Sequence, residues 1–205
     1  MIQKLIRQLA KENLDEQVVE NPYCHPICCD NLEKYLSALW KIQPKILLVG
    51  EAPGYRGCAL TGVPFTAEYN MMQMENEVLG AEKGYVVLDE KKGHYQKEGS
   101  ATTIWSALEG VTFMPLLWNI FPFHPYKAGN KRTNRTPTAK EMAQGVRYVR
   151  DLLAIFDSIE QIYALGRKAE GQLKAFFTDR EIMYIRHPAN GGATMCKRGI
   201  EAIEK

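Results

Sequence analysis

Apolar residues recur along the chain in two alternating rhythms. Leu32, Tyr35, Leu36, Leu39 and Trp40 lie at helical spacing and make one apolar face. Asp30 is expected to cap this helix, with Glu33 reaching back in a capping box, and Pro44 to end it. Lys45-Ile46-Leu47-Leu48-Val49-Gly50 follows, a short apolar run suited to a strand buried on both faces. The alternation then returns. Residues 113–120 read as a strand with Pro115 at its start. Thr138 and Glu141 open a capped helix carrying Met142, Val146, Val149, Leu153 and Phe156. Residues 161–165 read as a strand, 167–177 as a helix and 181–185 as a strand, and the chain is helical again from about 194. Strands alternating with helices predict a three-layer αβα sandwich around a central, mainly parallel four-stranded sheet, with residues 1–205 as a single domain. Residues 70–99 break the rhythm and read as an insertion, with a helix over 70–79 and one short strand at 85–88.

Composition changes this picture little. The 205 residues are 45% hydrophobic and 24% charged, as in an ordinary globular domain, which excludes a disordered or collagen-like chain. No apolar run is long enough to span a bilayer. Ile2, Leu5, Ile6 and Leu9 are spaced helically without the continuous apolar stretch of a signal peptide, so a cytoplasmic location is expected. Five cysteines, an odd number, argue against a disulfide framework. A net charge of +2 neither demands nor excludes nucleic acid, so local distribution must decide.

In an open parallel sheet, ligands bind beyond the carboxyl ends of the strands. Three predicted strands run straight into chemically capable residues there. They are Gly50-Glu51-Ala52-Pro53-Gly54, then Trp118-Asn119 with Phe123-His124-Pro125 beyond it, and finally Arg186-His187-Pro188. A carboxylate, an amide and an imidazole are thus expected on one rim. Alone, each has an ordinary explanation: Glu51 as a turn or helix cap, Asn119 in an Asx turn, His187 as a structural histidine.

Gly50-Glu51-Ala52-Pro53-Gly54, followed by Gly62-Val63-Pro64-Phe65, resembles the first motif of the uracil-DNA glycosylase superfamily. That motif is a strand-end loop with an acidic or amide residue, then Gly-x-Pro-Phe. Asn119 is similar to the family's base-reading asparagine, and His187-Pro188 to its closing His–Pro motif. The ordered set spans residues 50 to 190. The resemblance implies a monofunctional DNA glycosylase of base excision repair, acting on uracil in DNA after flipping the base into a pocket. Glu51 and His187 would be the catalytic pair, and Gly50, Ala52, Phe65 and Asn119 would bind the base.

The chemistry suits these residue types. A phenylalanine offers a flat face on which the base can stack. An amide presents a donor and an acceptor side by side, matching O4 and N3–H of uracil but not the reversed pattern of cytosine. A histidine can donate to O2 as the base leaves as an anion. An ionised Glu51 can orient or deprotonate the attacking water and stabilise the cation-like sugar. His124 competes with His187 as a donor on proximity alone. In the uracil-specific branch a tyrosine follows the motif proline and blocks the thymine methyl; here that position is Gly54, so thymine exclusion must come from elsewhere, with Tyr55 or Phe65 as candidates.

Positive charge gathers beyond Asn119. Lys131, Arg132 and Arg135 lie in a Gly/Asn/Thr-rich stretch suited to gripping phosphates, while Arg147 and Arg150 read as a solvated helix face. Tyr55 and Arg56 in the first motif loop, and Asn190, Lys197 and Arg198 after His187, are further DNA-binding candidates. Met195 or Ala193 would supply the apolar wedge that holds the vacated stack. The branch with a Glu51-type acid holds a four-cysteine iron–sulfur cluster, but Cys24, Cys28, Cys29, Cys58 and Cys196 do not match its spacing. Zinc on Cys24, His25, Cys28 and Cys29 would crowd adjacent ligands into poor tetrahedral geometry. No cofactor or metal is therefore expected. The expected partner is DNA with a damaged base, bound by a monomer with no membrane contact. Rival readings are the same fold acting on hypoxanthine, xanthine or mismatched thymine, and a catalytically silent binder of damaged DNA. A phosphate-binding hydrolase is disfavoured because the first loop lacks the lysine and Ser/Thr of a P-loop.

Overall fold

In the computed structural model, which describes residues 1–89 and 93–204, the apolar runs pair side by side. The strands are β1 (Val19–Glu20), β2 (Ile46–Gly50), β3 (Leu116–Asn119), β4 (His124–Pro125), β5 (Gln161–Leu165) and β6 (Ile182–Ile185). Four form a wholly parallel sheet in the order β3-β2-β5-β6. Every residue of β2 and β3 is buried, which explains why both read as continuous apolar runs. The helices are α1 (Ile2–Ala10), α2 (Pro26–Ile42), α3 (Cys58–Thr61), α4 (Glu68–Gln73), α5 (Gly99–Leu108), α6 (Ala139–Ile155), α7 (Arg167–Phe176) and α8 (Ala193–Glu201). Around the sheet α1 packs on α2 and α6, α6 on α7, α4 on α5 and α5 on α8, with α3 between α2 and α4. This is the three-layer architecture the alternation predicts.

The order β3-β2-β5-β6 fixes where a ligand can bind. From β2 the chain crosses first to β3 on one side, and later to β5 on the other. A crevice opens beyond the carboxyl ends of β2 and β5, where connections diverge.

Several local expectations need correction. Asp30 does not cap α2. The helix starts one turn earlier at Pro26, pre-set for the first helical position, and the His25 ring accepts the Ile27 N–H through Nδ1 at 3.3 Å. Asp30 instead pairs with Lys34, and Glu33 takes a hydrogen bond from Gln3 at 3.0 Å. By contrast, Thr138 and Glu141 form the expected capping box. No strand forms over 85–88. The backbone of Val86 is satisfied by the buried Asn31 amide of α2, which donates to its carbonyl at 2.8 Å and accepts its N–H at 3.1 Å. A side chain thus replaces a neighbouring strand. The helix expected over 70–79 is the shorter α4, while α5 and the small antiparallel β1–β4 pair were not anticipated.

Candidate active site

The crevice contains a cleft of 540 Å³. Glu51 enters it from the end of β2, Asn119 from β3 and His187 from just beyond β6, as the strand-end rule requires. Beyond the sheet the first two exits stay tied together: Ile120 N–H donates to Gly50 O at 2.9 Å, and Phe121 N–H to Glu51 O at 3.1 Å.

Gly50, Phe65 and Asn119 make a compact wall. A methyl group on Gly50 would overlap the Phe65 ring and stand 3.2 Å from Asn119 Oδ1, so only glycine lets both side chains close over this strand end. Phe65 has a left-handed backbone with φ of 51°, unusual for a bulky residue. It is held there by Trp105, whose indole N–H donates to Phe65 O at 3.1 Å. Asn119 is 2% exposed, and its Oδ1 has no hydrogen-bond partner. An unpaired buried amide oxygen costs stability, and this one belongs to a residue that lines the cleft, where a ligand's donor can reach it.

Glu51 is half-buried. Burial raises its carboxyl above the ordinary range, while the Lys168 ammonium and the Thr136 hydroxyl pull it back toward the carboxylate. Lys168 Nζ also donates to Thr136 Oγ1 at 2.5 Å, so the three groups form one polar cluster at the cleft edge. His187 accepts the Ala189 N–H on Nδ1 at 3.1 Å. In the neutral ring that leaves the proton on Nε2, free to donate elsewhere. Burial, then the Arg186 guanidinium, lowers its pKa and favours that neutral form. Arg186 also braces the loop, donating to His187 O at 3.1 Å and Asn190 O at 3.3 Å.

These motif residues all fall within residues 38–197, the stretch matched by the family profile described as the uracil DNA glycosylase superfamily. The chain belongs to the uracil-DNA glycosylase superfamily. Its fold is similar to that of wild-type SMUG2 from Pedobacter heparinus, with a TM-score of 0.68 and 17% identity over 99% of this chain and 96% of that one. None of the curated proteins searched matches the sequence. Members of the superfamily are DNA glycosylases, hydrolases of DNA repair.

Within this glycosylase framework the other sequence candidates divide. Ala52 lines the cleft beside Glu51. Tyr55 donates its backbone N–H to Asn134 Oδ1 at 3.1 Å, and the exposed Arg56 lies over its ring at 5.2 Å. Arg132 and Arg198 are exposed, as is Lys197, 4.0 Å from Glu201. Asn190, also exposed, borders the cleft in a left-handed turn with φ of 53°. Arg135 is a correction. All five of its N–H donors are occupied: by both Glu141 oxygens at 2.6 and 2.8 Å, and by the carbonyls of Tyr126, Thr136 and Val18. It holds the loop rather than offering charge to phosphate. Lys131 is half a correction, because it pairs with Glu20 at 3.1 Å while remaining largely exposed. His124, wholly buried, has its ring nitrogens 2.9 Å from Pro53 O and 3.0 Å from Lys131 O. It ties the first motif loop to the basic loop and does not line the cleft.

The cysteines do not fit a cluster. Cys29 Sγ donates to Tyr23 O at 3.0 Å, Cys28 Sγ to Leu60 O at 3.5 Å, and Cys24 is exposed. Among the described residues, no three metal-ligating side chains are grouped to hold an ion.

Sequence reasoning missed Lys168, Thr136 and Glu98, all of which line the cleft. Lys168 had a usable signal: it follows the end of β5, and the rule applied to three strands extends to the fourth. Thr136 and Glu98 follow no strand of the main sheet and carried no such signal.

Proposed function

We propose that this protein hydrolyses the N-glycosidic bond of uracil in DNA, releasing free uracil and leaving an abasic site. The observation that carries this reading is the buried Asn119 amide, which has an unpaired Oδ1 and lines a cleft walled by Phe65. Uracil flipped into the cleft stacks on Phe65, gives its N3–H to Asn119 Oδ1 and accepts the Asn119 amide N–H on O4. That satisfies the orphan oxygen, whereas cytosine would leave it and the donor mismatched.

His187 then donates from Nε2 to O2. As the C1′–N1 bond breaks, its electron pair passes to the base and charge collects on O2, where a preorganised donor has its greatest effect. Glu51 aligns a water on C1′ and accepts its proton as the new C–O bond forms. Burial raises the Glu51 carboxyl above its ordinary range, and Lys168 and Thr136 oppose that rise in favour of the ionised state that this role needs. Arg132, Arg56, Lys197 and Arg198 are the exposed cations that suit contact with flanking phosphates. Met195, 63% exposed in the first turn of α8 after the His187 loop, suits the apolar wedge.

The test is alkaline strand scission of matched oligonucleotides carrying one uracil, hypoxanthine, xanthine or mismatched thymine, with the Glu51→Gln and His187→Ala variants alongside. Cleavage at uracil, lost in both variants, is expected. Preferential cleavage at a purine lesion would refute the substrate. No cleavage anywhere, with DNA binding intact, would make the protein a silent binder.

A further inference from the structure

Glu98 reaches the cleft from the insertion, and no role in holding the fold together accounts for it. It is the N-cap residue of α5, yet its carboxylate does not cap the helix. Its backbone carbonyl instead takes the Thr102 N–H at 2.9 Å and the Thr102 hydroxyl at 3.0 Å. Two residues earlier Gln96 is clamped to α4, giving its N–H to the buried Glu68 carboxylate at 2.9 Å and accepting the Tyr69 N–H at 3.0 Å. The backbone is thus fixed on both sides of Glu98, while its side chain is left for the cleft.

There the carboxylate lies against the backbone of the first motif loop. A methyl group on Gly54 would overlap Oε1, and one on Gly57 would overlap Oε2. Glu98 therefore fills the space that side chains at both positions would occupy. Among the described residues no hydrogen bond reaches the carboxylate, and burial pushes the carboxyl up to about 7. The side chain is only partly buried and neither oxygen is fully enclosed, so the carboxyl is presented to the cleft rather than to the core. The remaining geometry says which part of a base would meet it. With Asn119 at N3 and O4, His187 at O2 and Glu51 toward the sugar, the edge left over is C5–C6. The substituent on C5 is what separates uracil from thymine.

We propose that the Glu98 carboxyl is the specificity wall of the base pocket: delivered by the insertion, it stands in for the side chain absent at Gly54 and excludes pyrimidines that carry a substituent on C5. This rests on the reading of the cleft as a pocket for a flipped pyrimidine. It also gives the end of the insertion a purpose, since the bonds of Gln96 to α4 position the group that closes the pocket.

The test uses two readouts on the intact protein, wild type beside Glu98→Ala, Glu98→Asp and Glu98→Gln. One is the single-turnover excision rate of uracil against thymine opposite guanine. The other is affinity for the same oligonucleotides made uncleavable by a 2′-fluoro-arabino sugar. Discrimination against the methyl should fall by about tenfold or more in Glu98→Ala, a typical worth for one methyl in a tight pocket. It should fall partly in Glu98→Asp, which withdraws the carboxyl by one methylene, and persist in Glu98→Gln, which keeps its shape. An unchanged uracil-to-thymine ratio in folded Glu98→Ala or Glu98→Asp, in either readout, would overturn the wall. If the wild type binds uracil selectively without cutting it, and Glu98→Ala loses that selectivity, the wall stands and the hydrolytic reading falls. If the wild type cuts uracil while Glu98→Ala discriminates as before, the opposite holds.

Discussion

The cleft has two kinds of wall. Glu51, Asn119 and His187 stand at the ends of parallel strands, where the sheet fixes their spacing and hydrogen bonds between neighbouring exits keep it fixed. Glu98 arrives from a long excursion between α3 and α5 whose described residues take no part in the sheet. The two acids show the contrast most clearly. Glu51 sits beside a lysine and a hydroxyl that favour its charge, which suits the water-handling role proposed for it. Glu98 has no such company, and its proton is held up to about 7 by burial alone. The first environment suits chemistry and the second suits shape. A fold can therefore keep its reacting groups on the rigid sheet and change which base it admits by altering an insertion.

The largest effects should come from the strand-end wall. Glu51→Gln and His187→Ala are each expected to lower the single-turnover rate on uracil by about 10²–10³-fold with little change in DNA affinity, because both act as charge develops. Rapid-quench kinetics beside binding titrations check this. A loss confined to affinity would make these residues binding groups and dissolve the distinction between the two walls.

The second effect isolates the insertion. A carboxyl held at about 7 in the folded chain, against its ordinary 4.5, binds its proton more tightly when folded. Stability from this group is fully present below the ordinary value and is lost as pH rises through about 7. Glu98→Gln removes the titration. It should leave stability nearly unchanged near pH 4 and raise it by up to about 3 kcal/mol at pH 8. Urea unfolding at the two values measures the difference. Equal stability at pH 8 would mean that Glu98 is already relieved by solvent.

What the sequence disclosed follows the same division. The sheet, three of its strands and three strand-end residues were legible because a buried parallel strand writes itself as an apolar run and the fold rule says where its end points, while the strand expected over 113–120 is the shorter Leu116–Asn119. Lys168 obeyed that rule and was overlooked at the end of β5. Glu98 lay beyond any such rule. Its role depends on Gln96 being clamped to α4 and on empty space at Gly54 and Gly57, none of which has a period in the sequence. The strand expected at 85–88 failed similarly, because Asn31, 55 residues away, supplies the hydrogen bonds of a missing neighbour. Arg135 looked like a phosphate contact for want of any sign that Glu141 and three carbonyls would claim it.

The smallest effects test that last distinction. Arg135 and Arg132 are three residues apart in one basic loop, yet one is consumed by the fold and the other is exposed. Arg135→Ala removes the charged partner of Glu141, which keeps only the Thr138 N–H, and takes a donor from three carbonyls, of which Val18 O keeps the Tyr126 N–H. It should cost about 2 kcal/mol of stability, below the range for a fully buried pair because both partners keep some solvent contact. The salt dependence of DNA binding should stay the same, since no phosphate contact is lost. Arg132→Ala should do the reverse. Its thermal midpoint should not move, DNA affinity should fall a few-fold, and the slope of log K against log salt should shrink by about one contact's worth. Anisotropy titrations at several salt concentrations, beside melting curves, separate the two. If Arg135→Ala flattened the salt slope while Arg132→Ala left it intact, the phosphate track would run along the inner side of the loop, and the guanidinium now held by Glu141 would have to be released when DNA binds.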